Sequence, residues 1–139
     1  DSTELPPESV DVAFICDTYH HFEFPLKTMK SLHAALKPGG RVVVIDFKRI
    51  EGESTEWTMS HVRAGQEVFE AEILKAGFRK TAEVKDVLKE NYMAVFEKSV
   101  PEQAAVKPNA NFLFPIVATA ALTVILNRQA DGFVYAPVP

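Results

Sequence analysis

The 139-residue sequence predicts an α/β fold, an open twisted sheet with helices packed on it. Three observations lead there. Two short runs rich in β-branched residues, Val10–Cys16 and residues 41–47, read as buried strands. A stretch of helical period lies between them. Two further strand-like runs, 78–88 and 92–97, follow a second helical stretch.

Residues 1–9 are polar with Pro6-Pro7 and read as an extended lead-in. Val10–Cys16 then forms the first strand, and residues 17–24 a polar and aromatic loop. Pro25 opens a helix, where its fixed φ helps and its missing N–H costs little. Leu26, Met29, Leu32 and Leu36 recur at steps of three or four and give that helix one apolar face. Lys37-Pro38-Gly39-Gly40 stops it, since glycine accepts the left-handed cap and proline cannot continue the helix. The next strand, 41–47, completes a βαβ unit with a right-handed crossover. Residues 48–57 carry Lys48, Arg49, Glu51, Glu53 and Glu56 around Gly52 and read as an exposed loop. A helix is expected over 60–76, with Phe69, Ile73 and Ala76 on one face, Gly65 as a weak point and Gly77 as its cap. Lys89-Glu90-Asn91 joins the last two strands as a hairpin, and the poor alternation of 92–96 suits a strand covered on both faces.

Apolar residues make up 47% of the chain and charged residues 24%, ordinary for a globular protein. A net charge of −4 argues against a general nucleic-acid binder. One cysteine allows no internal disulfide, which fits a reducing, cytoplasmic setting. No signal peptide is visible at the acidic, proline-containing start. Residues 101–111 read as a linker. The uncharged run 112–126, interrupted by Pro115, is shorter than the roughly 20 apolar residues of a spanning helix. It reads as a tail or a helix packed on the sheet, without membrane contact.

Leu5-Pro6, Ser9-Val10-Asp11, Tyr19-His20-His21-Phe22, Leu36-Lys37-Pro38-Gly39-Gly40 and Val43 to Phe47, in this order and spacing, carry a family likeness. The chain resembles the class I S-adenosylmethionine-dependent methyltransferases, and among them the small-molecule and quinone-type enzymes. The resemblance covers residues 1–99 and leaves 100–139 as a linker and apolar tail of unassigned role. It implies the carboxyl-terminal half of a Rossmann-like sheet, with the family's strands in the spatial order fourth, fifth, seventh, sixth and the last antiparallel. The family's Gly-rich cofactor turn and its ribose-binding acidic residue have no counterpart here. Gly39-Gly40 follows a helix and is a helix stop. The strand Val10–Cys16 would then be an apolar sheet edge, open to self-association.

Ligands of open α/β sheets sit outside the carboxyl ends of the parallel strands, which points to Asp17, Thr18, Tyr19, His20, His21, Asp46 and Lys48. The resemblance implies S-adenosylmethionine as cofactor and a small-molecule methyl acceptor. It places Asp1, with Ser2 beside it, at the adenine amine, which a carboxylate can accept from. Cys16 and Asp17 would lie at the methionine end, chiefly through backbone atoms. His20 and His21 are the catalytic candidates, at the floor of the acceptor pocket, since a neutral imidazole can take an acceptor proton. Methyl transfer from a sulfonium needs no covalent intermediate, and alignment supplies most of the acceleration.

Each site residue also has a plainer reading. Cys16 is a small buried apolar residue, and one histidine packs the helix start. Trp57 and Tyr19 can line an aromatic acceptor pocket or simply pack. His33 and His61 read as surface or packing residues, and Glu67, Glu70 and Glu72 as a solvated helix face. No metal site is expected. The rival set of Asp17, His20 or His21, and Asp46, which would suit a metal-dependent hydrolase, lacks a His-x-x-x-His or cysteine pair. The other alternative is an inactive fragment or interaction module that associates through its open edge.

Overall fold

The computed structural model describes residues 2–99, and the backbone of 123–126, 128–129 and 132–133. Strands β1 (Val10–Cys16) and β2 (Leu36–Phe47) lie side by side and parallel, with Phe14 opposite Val43 and Cys16 opposite Ile45. Helix α1 (Pro25–Ala35) connects them and buries Met29, Leu32 and Ala35, the face expected from the leucine spacing. Proline stands in its first turn.

The Lys-Pro-Gly-Gly turn differs from expectation. Leu36 already pairs with Val10 and the ladder resumes at Val12 opposite Arg41, so residues 37–40 bulge out of a continuous β2. Gly39 takes the left-handed conformation there, φ 74°. The Lys37 ammonium donates to Asp11 Oδ2 at 2.9 Å across the bulge.

The helix expected over 60–76 is two helices, α2 (Glu56–His61) and α3 (Gln66–Lys75). Val62 is extended and buried, and Gly65 is extended at the start of α3. Burying Val62 and starting a new helix after Gly65 spares a mid-helix glycine, which costs about 1 kcal/mol. Thr55, inside the expected loop, caps α2 by accepting from the Thr58 N–H at 3.1 Å.

Strand β3 (Phe78–Val84) is shorter than the run 78–88, because the chain turns at Asp86, φ 61°. It pairs antiparallel with β4 (Asn91–Lys98), and β4 pairs antiparallel with β2. Burial along β4 alternates: Tyr92, Ala94 and Phe96 are buried, Met93 and Val95 half-buried. The expectation of two covered faces therefore fails among the described residues. Met29, Leu32, Phe69 and Ile73 of the helices pack with Ala13, Ile15, Val42, Val44, Ala94 and Phe96 on one face.

The sheet order is β3-β4-β2-β1-β5, with β5 at Thr123–Leu126. The four strands of residues 10–98 thus stand in the expected order. β5 runs parallel to β1 from Val12 opposite Thr123 to Ile15 opposite Leu126. The edge expected to be open is therefore covered by the chain's own tail. Arg128–Gln129 and Gly132–Phe133 form a separate two-stranded pair. Residues 101–111, expected as a linker, and 112–122 of the apolar run lie outside the described residues. Among the described residues, no helix is long and apolar enough to cross a membrane.

Candidate functional site

Because β1 and β2 are parallel neighbours in register, their carboxyl ends open together. The chain leaves β1 through Asp17, whose N–H still donates to Ile45 O at 2.9 Å. Asp17 adopts φ 47°, a left-handed conformation in which Asp is enriched among non-glycine residues. Its carboxylate, part-desolvated on an otherwise exposed residue, accepts from Asn91 Nδ2 at 2.7 Å. Burial first, and the neighbouring Asp46 charge second, hold its pKa above the ordinary carboxylate value. Burial likewise raises the Cys16 thiol, followed by the charges of Asp17 and Asp46, so it stays protonated.

Tyr19–His21 then make a single 3₁₀ turn. Tyr19 points inward, fully buried between Phe22 and Phe69 at ring distances of 5.0 and 5.1 Å. Burial pushes its hydroxyl pKa far above normal, and the ring belongs to the core, not to an acceptor pocket.

His20 meets Asp46, a fully buried carboxylate at the end of β2. His20 Nδ1 lies 2.7 Å from Asp46 Oδ1, and the His20 backbone N–H donates to Oδ2 at 3.1 Å. The Phe47 N–H donates to Oδ1 at 2.8 Å. An ionised carboxylate only accepts, so facing one Nδ1 carries a proton, and in the neutral tautomer that fits this contact Nε2 carries the lone pair. That Nε2 is buried and has no hydrogen-bond partner.

His21 and His61 complete the neighbourhood. Ring centroids stand 4.1 Å apart for His20 and His21, 5.2 Å for His20 and His61, and 4.9 Å for His21 and His61. One ligating atom from each of the three lies within 4.8 Å of the others. Trp57, one turn before His61 on α2, stacks on it at 4.5 Å and meets Phe47 edge-on at 5.4 Å. Trp57 therefore stands beside the three histidines. His61, read as a surface or packing residue, is part of it. The signal lay in the Trp57–His61 spacing of four on one helix face, hidden by an expected helix that began only at residue 60.

The two-carboxylate metal set does not form. Asp46 spends both oxygens on His20 and Phe47, and Asp17 turns to Asn91. Lys48 is tied to the carbonyls of Leu88 and Lys89 at 3.0 and 3.3 Å, away from the histidines. Beside it opens a cavity of about 130 Å³ lined by Lys48, Ile50, Ser54, Thr58 and Glu90, among others. Ser2 is exposed, near Ser31 of α1 at 3.4 Å. Asp1 lies outside the described residues. The acidic helix face is also more engaged than expected. Glu72 holds Arg63 through two bonds of 2.9 and 2.6 Å, and Glu70 accepts from Lys80 at 2.6 Å.

Comparison with known proteins bears on this geometry. The model of the methyltransferase domain family matches residues 1–44. No curated protein matches the chain. Among solved structures, a SAM dependent methyltransferase from Aquifex aeolicus is similar at TM-score 0.60 and 24% identity, covering 69% of this chain and 50% of its own. An S-adenosylmethionine dependent methyltransferase from Mesorhizobium loti is similar at TM-score 0.56 and 15% identity, covering 70% and 66%. The [4+2]-cyclase SpnF is similar at TM-score 0.58 and 13% identity, covering 72% and 53%. The chain spans about half the length of the first of these. At such identities the likeness establishes the fold, a partial Rossmann-like fold of the methyltransferase type. The cyclase shows that this fold also serves other chemistry.

Proposed function

We propose that this chain forms the carboxyl-terminal half of an S-adenosylmethionine-dependent methyltransferase acting on a small-molecule acceptor. The supporting observation is the buried His20–Asp46 pair at the joined carboxyl ends of two parallel strands, with an unpartnered Nε2. The residues present suit a cationic donor. Asp17 and Asp46 put two carboxylates at the strand ends; burial first and the Asp46 charge second raise the Asp17 pKa, and a nearby positive charge favours both ionised forms. When bound, S-adenosylmethionine supplies an electrophilic methyl group on a sulfonium.

The chain's own residues then have separable tasks. Asp46 fixes the His20 ring and its tautomer. His20 Nε2 takes the proton that the acceptor loses as it gains the methyl group, worth about 10²–10⁴ in rate for a well-placed base. Phe47 and Trp57 stand beside His20 and His61 on the acceptor side. Asp17 faces the donor. His21 stands beside His20 as the second candidate for proton transfer.

Trp57 is the single tryptophan, so its emission reports on the site. Titration with S-adenosylmethionine, read by Trp57 fluorescence and by equilibrium dialysis of labelled cofactor, should saturate and should weaken in Asp17→Asn. Absence of saturable uptake would favour the alternative of an interaction module. That alternative is itself less supported now that β5 covers the β1 edge.

A further inference from the structure

We infer that His20, His21 and His61 form a binding site for one divalent transition-metal ion of the zinc class. Imidazole nitrogens suit zinc, copper, iron and nickel, and three of them with no fourth protein ligand are the donor set of an open, catalytic-type site. Among the described residues these three are the candidate metal cluster.

The arrangement around His20 carries the argument. A metal-bound histidine almost always donates its other ring N–H to a carboxylate or carbonyl, which fixes ring and tautomer and raises ligand basicity. Asp46 does this for His20 at 2.7 Å, and both side chains are sealed from solvent. The opposite nitrogen, Nε2, is buried without a hydrogen bond. Burying an acceptor with no donor is unfavourable, and a cation would satisfy it. His61 arrives on α2, exposed and stacked on Trp57, with its ring against those of His20 and His21. Tetrahedral ligands at about 2.0–2.1 Å from zinc stand roughly 3.3 Å from one another. The present spacing, one ligand atom of each histidine within 4.8 Å of the others, is wider than this, so the three rings must draw together on the ion.

The inference does not rest on methyl transfer. The ion and the proton compete for one lone pair on His20, so metal uptake can be measured with no methyl donor present. The full chain, stripped by chelator, is titrated with Co²⁺ alone and then with Zn²⁺ as competitor. The expected result is one equivalent of Co²⁺ with the visible absorption of a four-coordinate ion, displaced by Zn²⁺. Heating should show a raised midpoint, since the ion ties α2 to the end of β1. His61→Ala removes an exposed ligand and leaves the core intact; it should weaken binding at least tenfold. Asp46→Asn should weaken it about 10–100-fold, as for other carboxylates that orient a metal-bound histidine. His33→Ala, outside the cluster, should leave affinity unchanged. Uptake absent from the wild-type chain, or equal in wild type and His61→Ala, would overturn the inference.

Discussion

The Asp46 carboxylate and the His20 ring meet at 2.7 Å with neither exposed to solvent, which makes them one buried unit at the junction of β1 and β2. Asp46 also accepts two backbone N–H groups, from His20 and Phe47. Asp46→Asn keeps the shape but removes the charge, and its amide can satisfy only part of this set. Hydrogen bonds to charged groups contribute about 1.5–3 kcal/mol, so a loss of about 2 kcal/mol is expected in urea unfolding. An unchanged midpoint with an unchanged slope would show that the pair contributes nothing to folding.

His33 gives the fold a pH dependence. It packs edge-on against Phe78 at 5.2 Å, and burial first, then the charge of Lys98, lower its folded pKa below 6.5. The unfolded chain therefore binds this proton more readily. Stability is complete above pH 6.5 and falls as the pH drops through 6.5 towards the folded pKa. His33→Gln should flatten that part of the profile, read as thermal midpoint against pH. A profile unaltered by the substitution would assign the slope to other groups.

Two glycines separate backbone strain from crowding. Gly39, φ 74°, has open space where a Cβ would stand, whereas at Gly77, φ 101°, a Cβ would lie 3.1 Å from His33 Nε2. Left-handed conformations cost an ordinary residue about 1–2 kcal/mol. Gly39→Ala should lose about 1 kcal/mol from this alone. Gly77→Ala adds the displacement of His33 and should lose about 2–3 kcal/mol. Equal losses in calorimetry would mean that His33 yields freely.

Arg63 forks onto Glu72 and lies over the Phe69 ring at 4.5 Å. Arg63→Ala should cost about 1–2 kcal/mol, the sum of a partly exposed ion pair and a cation–π contact. Arg63→Lys should recover less than half of that, because an ammonium cannot make both bonds at once. Full recovery by lysine in chemical unfolding would remove the role given to the fork.

Much of this was legible in the residues. The β-branched runs gave the two parallel strands, Pro25 and the leucine spacing gave α1, and the strand order was what the family resemblance implied. What escaped was long-range. The break at 62–65 was hidden because Val62 turns inward for a tertiary contact that periodicity does not report. With α2 displaced, Trp57 and His61 could not be set beside His20. The pairing of Thr123–Leu126 with β1 had no local signal, since an apolar run suits a helix or a strand equally.

That last pairing joins Val12–Ile15 to Thr123–Leu126, segments far apart in sequence. During synthesis β1 and β2 leave the ribosome well before residues 123–126, so the ladder between β1 and β5 is among the later ones to form. Loop closure over such a distance comes late. Until that ladder closes, the backbone groups of Val12 to Ile15 that it uses stay available to any factor that recognises extended segments.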